Sequence, residues 1–267
     1  WKTTKKKRES LTMEIILDIF SFLIGTSIAS FLGVIISRVP EHKSIIRPGS
    51  HCDNCKKEIK WYDNIPILSY LLLRGKCRYC KAKIPVSSLI LEILGGVLYL
   101  ICSLMYPFSY HLITYYPIVS VLLLISYIDY YHHYIYDATQ ILLALLAIID
   151  ITIKSILDKE IPIDNFIGLA IGFTFFLLLK IISEKILKKE ALGSGDIILI
   201  GIIGFHLGYK ALLLMLLVSS LSASLIELIR TRKEKNREIA FAPYLCAGYL
   251  FSLLFYPMIS RFIMEVI

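Results

Sequence analysis

The sequence predicts an all-α polytopic membrane protein with about eight transmembrane helices and one polar insertion that carries four cysteines. The chain has 267 residues, of which 57% are hydrophobic and only 19% charged, and its mean hydropathy is +0.69. Apolar runs of membrane-spanning length recur along it. This composition excludes a disordered chain, and it excludes a small disulfide-rich secreted domain.

The apolar runs define the helices in order. They predict spans at residues 14–36, 87–105, 112–128, 138–156, 164–182, 196–209, 211–229 and 240–262. The sixth span is short and is expected to form a hairpin with the seventh, turning at Gly208, Tyr209 and Lys210. Asp150 falls near the end of the fourth span, so we expect it at the membrane interface.

The basic residues predict the orientation. If the spans alternate, 19 of the 24 Lys and Arg residues that follow Met13 lie in loops on the side of the polar insertion. The positive-inside rule then places the insertion in the cytoplasm and both termini outside. The net charge of +8 is therefore interpreted as a topology signal, and no nucleic-acid partner is expected.

The first twelve residues do not fit this orientation. Five basic residues lie within 1–12, a segment that would be outside. Because Met13 is followed almost at once by an apolar run, we expect residues 1–12 to be a foreign segment or a basic N-terminal extension.

The polar insertion, residues 38–85, contains two C-x2-C pairs separated by 21 residues: Cys52 with Cys55, and Cys77 with Cys80. Two such pairs can supply the tetrahedral all-sulfur shell that Zn²⁺ favours. A closed shell leaves no open coordination position, so the predicted zinc is structural rather than catalytic. Four unligated thiols are the alternative.

Two aspartates stand at the predicted cytoplasmic edge of the membrane. Asp129 ends the third span, and Asp196 opens the sixth after Gly193 and Gly195, which allow close backbone approach. An Asp after a glycine-rich turn is often only a helix cap. Two converging carboxylates, however, can share a proton, activate water and polarise a peptide carbonyl.

Weaker candidates accompany this pair. Asp137 could position the loop after Asp129 or cap the fourth helix, and Glu92, at the end of the insertion, could support the site.

Taken together, the motifs resemble the type IV prepilin peptidases. The residues that carry the resemblance lie between 25 and 248: Gly25, Ser30-Phe31-Leu32, Arg38-Val39-Pro40, Arg47-Pro48-Gly49-Ser50-His51-Cys52, Trp61 to Tyr70, Arg74 to Cys80, Ile128-Asp129, Gly193-Ser194-Gly195-Asp196 and Phe241-Ala242-Pro243-Tyr244. The order of the matches makes the resemblance more specific than any single motif.

The resemblance implies an aspartic endopeptidase of the G-x-G-D class in the bacterial plasma membrane, with its active site and cysteine module facing the cytoplasm. It would cut the basic leader from prepilins or pseudopilins after a Gly, and Asp129 and Asp196 match the two catalytic aspartates. Many members also methylate the new N-terminus with S-adenosylmethionine, an activity linked to the cysteine domain.

This reading divides the chain into the segment 1–12, a first transmembrane helix at 13–37, the cytoplasmic four-cysteine domain at 38–85 and a seven-helix peptidase membrane domain at 86–267. Tyr131, Tyr136 and Ala242 depart from residues that are common in the family, which weakens the expectation of methylation but not of cleavage. The alternatives are a transporter and a non-enzymatic assembly subunit, each with a zinc-stabilised cap. The sequence leaves the oligomeric state open.

Overall fold

The computed structural model describes residues 2–187, 193–231 and 239–266, and these residues are helical with no β-strand. The helices are α1 (Lys2–Arg38), α2 (Leu68–Leu72), α3 (Val86–Met105), α4 (His111–His132), α5 (Asp137–Asp158), α6 (Ile163–Leu187), α7 (Ser194–Leu207), α8 (Tyr209–Thr231) and α9 (Ala242–Val266). A 3₁₀ turn at Trp61–Asn64 precedes α2. The predicted all-helical class is confirmed.

Seven of these helices, α1, α3 to α6, α8 and α9, are long and apolar enough to cross a membrane. The remaining long helix, α7, has 14 residues. At ~1.5 Å per residue it is about 21 Å long, less than the ~30 Å hydrocarbon core. The chain is therefore a multi-pass membrane protein, and its number of helices roughly matches the prediction. The sixth predicted span, which was expected to be short, corresponds to the short helix α7.

The N-terminal boundary stays a prediction. The backbone of α1 is continuous from Lys2, while Trp1 and the side chains of residues 2–11 lie outside the described part of the chain. The segments 188–192 and 232–238, which include basic residues on which the predicted orientation depends, are outside it as well.

The chain divides into two compact units, Trp1–Ser120 and Val121–Ile267. In the first unit, α1 packs closely on α3 where two glycines face each other. A Cβ atom added to Gly25 would lie 2.4 Å from the carbonyl oxygen of Gly95. Polar contacts between the helices add to this packing, since the Ser103 hydroxyl donates to Asp18 at 2.6 Å.

In the second unit, α7 is the central element. Its side chains Leu199, Ile200 and Ile203 are at most 1% exposed, as expected for a helix that is apolar all round. Against α6 it approaches so closely that a Cβ atom on Gly168 would lie 2.1 Å from the oxygen of Gly204. Such a backbone contact requires glycine on both helices.

The far end of α7 carries a buried polar group. The Asp150 carboxylate of α5 lies 3.2 Å from Nε2 of His206, and Nδ1 of His206 lies 3.2 Å from the Tyr249 hydroxyl of α9. Asp150 is only 2% exposed, so the packed helices enclose it, while its expected place at the membrane interface stays a prediction. It lies two turns before the end of α5 at Asp158.

Candidate active site

Asp129 lies in the last turn of α4 and is buried, with 6% of its surface exposed. Its Oδ2 atom accepts a hydrogen bond from the backbone N–H of Ala242 at 3.0 Å. Ala242 is the first residue of α9, so this N–H is one of the amides that a helix start leaves without an intrahelical partner. The start of α9 therefore orients the Asp129 carboxylate.

Asp196 is the third residue of α7, with Gly193 at the N-cap position. Its carboxylate accepts a hydrogen bond from the backbone N–H of Gly193, the reciprocal contact of a capping box. The other carboxylate oxygen, Oδ1, is buried and has no hydrogen-bond partner among the described residues. Asp196 thus caps its helix with one oxygen and keeps the second available.

The structure brings these two carboxylates together from different helices. They are close enough that the charge of Asp129 acts on Asp196, and both act on the thiol of Cys246 in α9. Asp129 is buried and Asp196 half-buried, and two neighbouring carboxylates in such a setting cannot comfortably both be ionised. The pair therefore has the property that shared-proton chemistry requires.

The two glycines of the turn have steric reasons to be glycine. A Cβ atom on Gly195 would lie 3.2 Å from Cβ of Ile135, and one on Gly193 would lie 3.1 Å from Oδ2 of Asp196. A side chain at either position would therefore make a tight contact, with Ile135 or with the Asp196 carboxylate itself. This agrees with the close approach that the sequence predicts at this turn.

Gln140 also contacts this turn, and it was not among the site residues predicted from the sequence. It is 4% exposed on α5, and its Nε2 donates to the carbonyl oxygen of Gly195 at 2.7 Å. The sequence signal that could have identified Gln140 is its side-chain amide within an apolar helical segment. Such a buried polar group requires a hydrogen-bond partner.

Asp137 and Glu92 are the remaining candidates from the sequence. Asp137 is exposed in the first turn of α5. Glu92, on α3 in the first unit, accepts a hydrogen bond from the backbone N–H of Ile67 at 2.7 Å, which ties the insertion to the helix below it. Any support that these residues give to catalysis stays a prediction.

A cavity of about 200 Å³ adjoins the start of α9. Its lining includes Tyr130, next to Asp129, and Pro243, next to Ala242. Inside it the Tyr244 hydroxyl donates to Glu227 at 2.7 Å, and the Arg230 guanidinium lies 3.4 Å from the same carboxylate oxygen. A mostly apolar recess with one charged pair therefore lies against the residues that follow Asp129 and Ala242.

The four cysteines of the insertion form a cluster. Their Sγ atoms all lie within 4.8 Å of one another, and those of Cys52 and Cys80 are 3.7 Å apart. A tetrahedron with Zn–S bonds of ~2.3 Å has S···S edges of about 3.8 Å. The donor set and its spacing therefore fit one tetrahedral metal ion, as the sequence predicts.

Two similar turns build this cluster. In the first, the Cys52 carbonyl accepts from the N–H of Lys56 at 2.8 Å; in the second, the Cys77 carbonyl accepts from Lys81 at 3.1 Å. Both lysines have positive φ angles, 57° and 61°. The repeated turn explains why each C-x2-C pair presents its two thiols in the same direction.

Hydrogen bonds favour ionised thiols in the second turn. The backbone N–H of Ala82 and the amide of Asn54 lower the pKa of the Cys80 thiol to about 6. Next to the cluster, the bidentate contact with Arg78, at 2.5 and 2.6 Å, lowers the pKa of Asp63. Thiolates are the form that binds metal.

Fold and site together define a helical membrane protein that has a pair of neighbouring aspartates and a cluster of four cysteines. Residues 23–106 match the family described as Bacterial Peptidase A24 N-terminal domain, and residues 116–228 match the Type IV leader peptidase family.

Curated relatives carry the same assignment. The chain is 31% identical over 248 residues to a prepilin leader peptidase/N-methyltransferase of Neisseria gonorrhoeae, covering 84% of this chain and 85% of the relative. It is 32% identical over 243 residues to a type 4 prepilin-like proteins leader peptide-processing enzyme of Escherichia coli O78:H11, covering 84% and 88%.

A prepilin leader peptidase/N-methyltransferase of Myxococcus xanthus is 35% identical over 211 residues, but the match covers 79% of this chain and 62% of the relative. No solved structure shows a significant match. The chain belongs to the type IV leader peptidase family. This confirms the resemblance seen in the sequence and the assignment to prepilin peptidase enzymes, and it does not favour the transporter or assembly-subunit alternatives.

Proposed function

We propose that this chain is an aspartic endopeptidase that removes the basic leader of type IV prepilins or pseudopilins after a Gly, and that Asp129 and Asp196 are its catalytic pair. The observation that supports this most directly is the convergence of the buried Asp129 from α4 and the half-buried Asp196 from α7. Within the described part of the chain, the buried Oδ1 atom of Asp196 has no hydrogen-bond partner. Capping of helix α7 alone would require only the carboxylate of Asp196.

In the proposed mechanism the pair acts as one unit that shares a proton. The ionised member takes a proton from water, whose oxygen attacks the carbonyl carbon of the scissile peptide, while the protonated member donates a hydrogen bond to the carbonyl oxygen. The C–N bond of the tetrahedral intermediate then breaks, and the leaving amine receives a proton from the pair. The N–H of Ala242 holds Asp129, and the N–H of Gly193 holds Asp196, throughout these steps.

We place this chemistry at the cytoplasmic face of the bacterial plasma membrane. The support is the excess of Lys and Arg in the loops on the side of the cysteine module. Asp129 lies in the last turn of α4 and Asp196 in the first turn of α7, which suits a scissile bond that leaves the membrane at this depth.

The cysteine cluster is proposed to hold one structural Zn²⁺, with Cys52, Cys55, Cys77 and Cys80 as ligands. The metal would stabilise the insertion, which has no strands and only a 3₁₀ turn and a five-residue helix. We also propose that the enzyme methylates the new N-terminal amine, because relatives are named N-methyltransferases. S-adenosylmethionine would supply the methyl group.

The decisive test is cleavage of a prepilin by full-length protein in detergent or nanodiscs, analysed by mass spectrometry. Asp129→Asn and Asp196→Asn should each lower cleavage below detection, with the protein still folded. Asp158→Asn, which removes an exposed carboxylate at the end of α5, is the matched control and should cleave at the wild-type rate. Cleavage at a wild-type rate by either of the first two variants would rule out the catalytic pair.

A further inference from the structure

One part of the polar insertion exposes large apolar side chains. Trp61 of the 3₁₀ turn is 79% exposed, and Leu68, Leu71 and Leu72 of α2 are exposed as well. Positions i, i+3 and i+4 lie on one face of a helix, so the three leucines form a single stripe. The 3₁₀ turn contacts α2, and we call residues 61–72 the apolar segment. An exposed apolar surface of this kind marks an interaction site.

The opposite face of α2 is attached to the rest of the first unit. Just before α2, the backbone N–H of Ile67 donates to Oε2 of Glu92 on α3 at 2.7 Å. Tyr70 is two residues from both Leu68 and Leu72, which places it on the face opposite the stripe. It lines a cleft of about 540 Å³ that lies between the insertion and helices α1 and α3. The leucine stripe is therefore turned away from these helices.

This attachment fixes the depth of α2 along the membrane helices. Glu92 lies six residues after the start of α3 at Val86, which is about 9 Å along the helix. The lining of the cleft also includes Gly33 of α1, five residues or about 8 Å before that helix ends at Arg38. Since the 20 residues of α3 are about as long as the ~30 Å hydrocarbon core is thick, α2 is level with the boundary between headgroups and acyl chains.

The charges around the apolar segment suit anionic lipid. Lys60 precedes the segment, Arg74 and Lys76 follow it, and all three are exposed. The one acid within it, Asp63, is paired with an arginine of the second cysteine turn. The whole insertion contains 11 Lys and Arg against four Asp and Glu. Basic residues next to a membrane helix are attracted to anionic lipid, and Trp is enriched at membrane–water interfaces.

We infer that the apolar segment is an interfacial anchor that lies in the anionic lipid surface next to α1 and α3. Its exposed Trp and Leu side chains enter the acyl boundary, and Lys60, Arg74 and Lys76 contact lipid phosphates. Interfacial helices insert by about 5–10 Å, which agrees with the depth given by Glu92 and Gly33. The insertion is thereby attached to the bilayer at a third place, besides the two helices that flank it. The inference does not depend on the proposed peptidase activity.

Fluorescence of Trp61 in the full-length protein tests this depth. The chain has two tryptophans, so Trp1→Phe leaves Trp61 as the only one. This variant is placed in nanodiscs of phosphatidylglycerol and phosphatidylcholine, with or without lipids brominated on the acyl chains, which quench tryptophan on contact. We expect brominated lipid to lower the emission of Trp61 at least about twofold, and aqueous acrylamide to lower it less than about 1.2-fold.

Tyr79→Trp, in a chain that also carries Trp1→Phe and Trp61→Phe, is the matched control. Tyr79 is exposed in the second cysteine turn, outside the apolar segment, and the ammonium of Lys57 lies 4.9 Å from its ring centre. A tryptophan keeps that cation–π contact. Its emission should fall with acrylamide and change less than about 1.2-fold with brominated lipid. Weak quenching of Trp61 by brominated lipid, or equal quenching at both positions, overturns the inference.

Variants of the leucine stripe and of the lipid complete the test. Leu71→Glu and Leu72→Glu alter exposed side chains, and each should reduce the quenching of Trp61 by brominated lipid by about half. Nanodiscs of phosphatidylcholine alone should reduce it as well, because the basic residues lose their anionic partners. If both variants accumulate as folded protein and leave the quenching unchanged, the leucines do not lie in lipid and the inference is wrong.

A protein partner would give a different result. In that case acrylamide would quench Trp61 in the lipid-only sample, and protection would appear only after prepilin is added. The apolar segment would then bind the substrate protein rather than lipid. That outcome would refute the membrane anchor and leave the proposed peptidase standing.

Discussion

Replacing Gln140 tests whether the turn before Asp196 must be held in place. The Nε2 atom of Gln140 donates to the carbonyl oxygen of Gly195 at 2.7 Å, one residue before Asp196. Gln140→Leu keeps similar bulk in a site that is 4% exposed but removes the donor. We expect kcat for leader cleavage to fall while KM changes little, because the lost bond orients a carboxylate rather than the substrate.

The magnitude follows from the kind of hydrogen bond that is lost. Because Gly195 lies inside α7, its carbonyl can still accept an intrahelical bond, so the full cost of an orphaned carbonyl does not apply. Hydrogen bonds between helices of membrane proteins contribute about 0.6 kcal/mol on average and up to about 1.7. Short length and burial put this bond near the upper end, which corresponds to a roughly 5- to 20-fold lower kcat.

Asn165→Leu is the matched control. The Nδ2 atom of Asn165 donates to the carbonyl oxygens of Phe205 and His206, at 2.7 and 3.1 Å, and so holds the opposite end of α7. Ten residues of helix, about 15 Å, separate Phe205 from Gly195. The control should therefore destabilise the protein at least as much as Gln140→Leu does and change kcat less than about twofold.

The test measures steady-state cleavage of a prepilin peptide and the thermal unfolding of each variant, and compares the loss of kcat with the loss of stability. Equal losses of kcat in the two variants would show that general loosening of α7 is responsible. An unchanged kcat in Gln140→Leu would show that cleavage does not depend on the hydrogen bond between Gln140 and Gly195.

Two further predictions concern packing and metal. Gly168→Val should prevent accumulation of folded protein, because a Cβ atom there would lie 2.1 Å from the backbone oxygen of Gly204. Gly49→Ala is the control and should be tolerated, because a Cβ atom on Gly49 has no atom within 4 Å. The measurement is the yield of detergent-solubilised protein. Chelation should remove one zinc per chain and expose residues 38–85 to limited proteolysis, since thiolate ligands link metal binding to folding. Metal content and proteolysis rates unaffected by chelator would contradict a structural zinc.

The sequence indicates candidate residues through local patterns, whereas their contacts depend on the fold. The Gly-x-Gly-Asp turn and the two C-x2-C pairs are local patterns, so residue spacing alone indicates their chemistry. Gln140 and the N–H of Ala242 were missed because they act on residues 55 and 113 positions away. Such contacts depend on how the helices pack against one another, and the spacing of residues along a single helix does not reveal that packing.

What the sequence by itself determined is the membrane-helical class and the four-cysteine cluster, because apolar length and cysteine spacing are local in the chain. The catalytic role of the two aspartates, which the sequence also predicts, stays a prediction. Only the tertiary structure decided that Asp129 and Asp196 lie close enough to interact, that Asp150 is buried against His206, and that three of the four acids of a basic insertion line one cleft. The physical reason is that burial and charge proximity arise from close helix contacts such as Gly168 with Gly204, which join residues far apart in sequence.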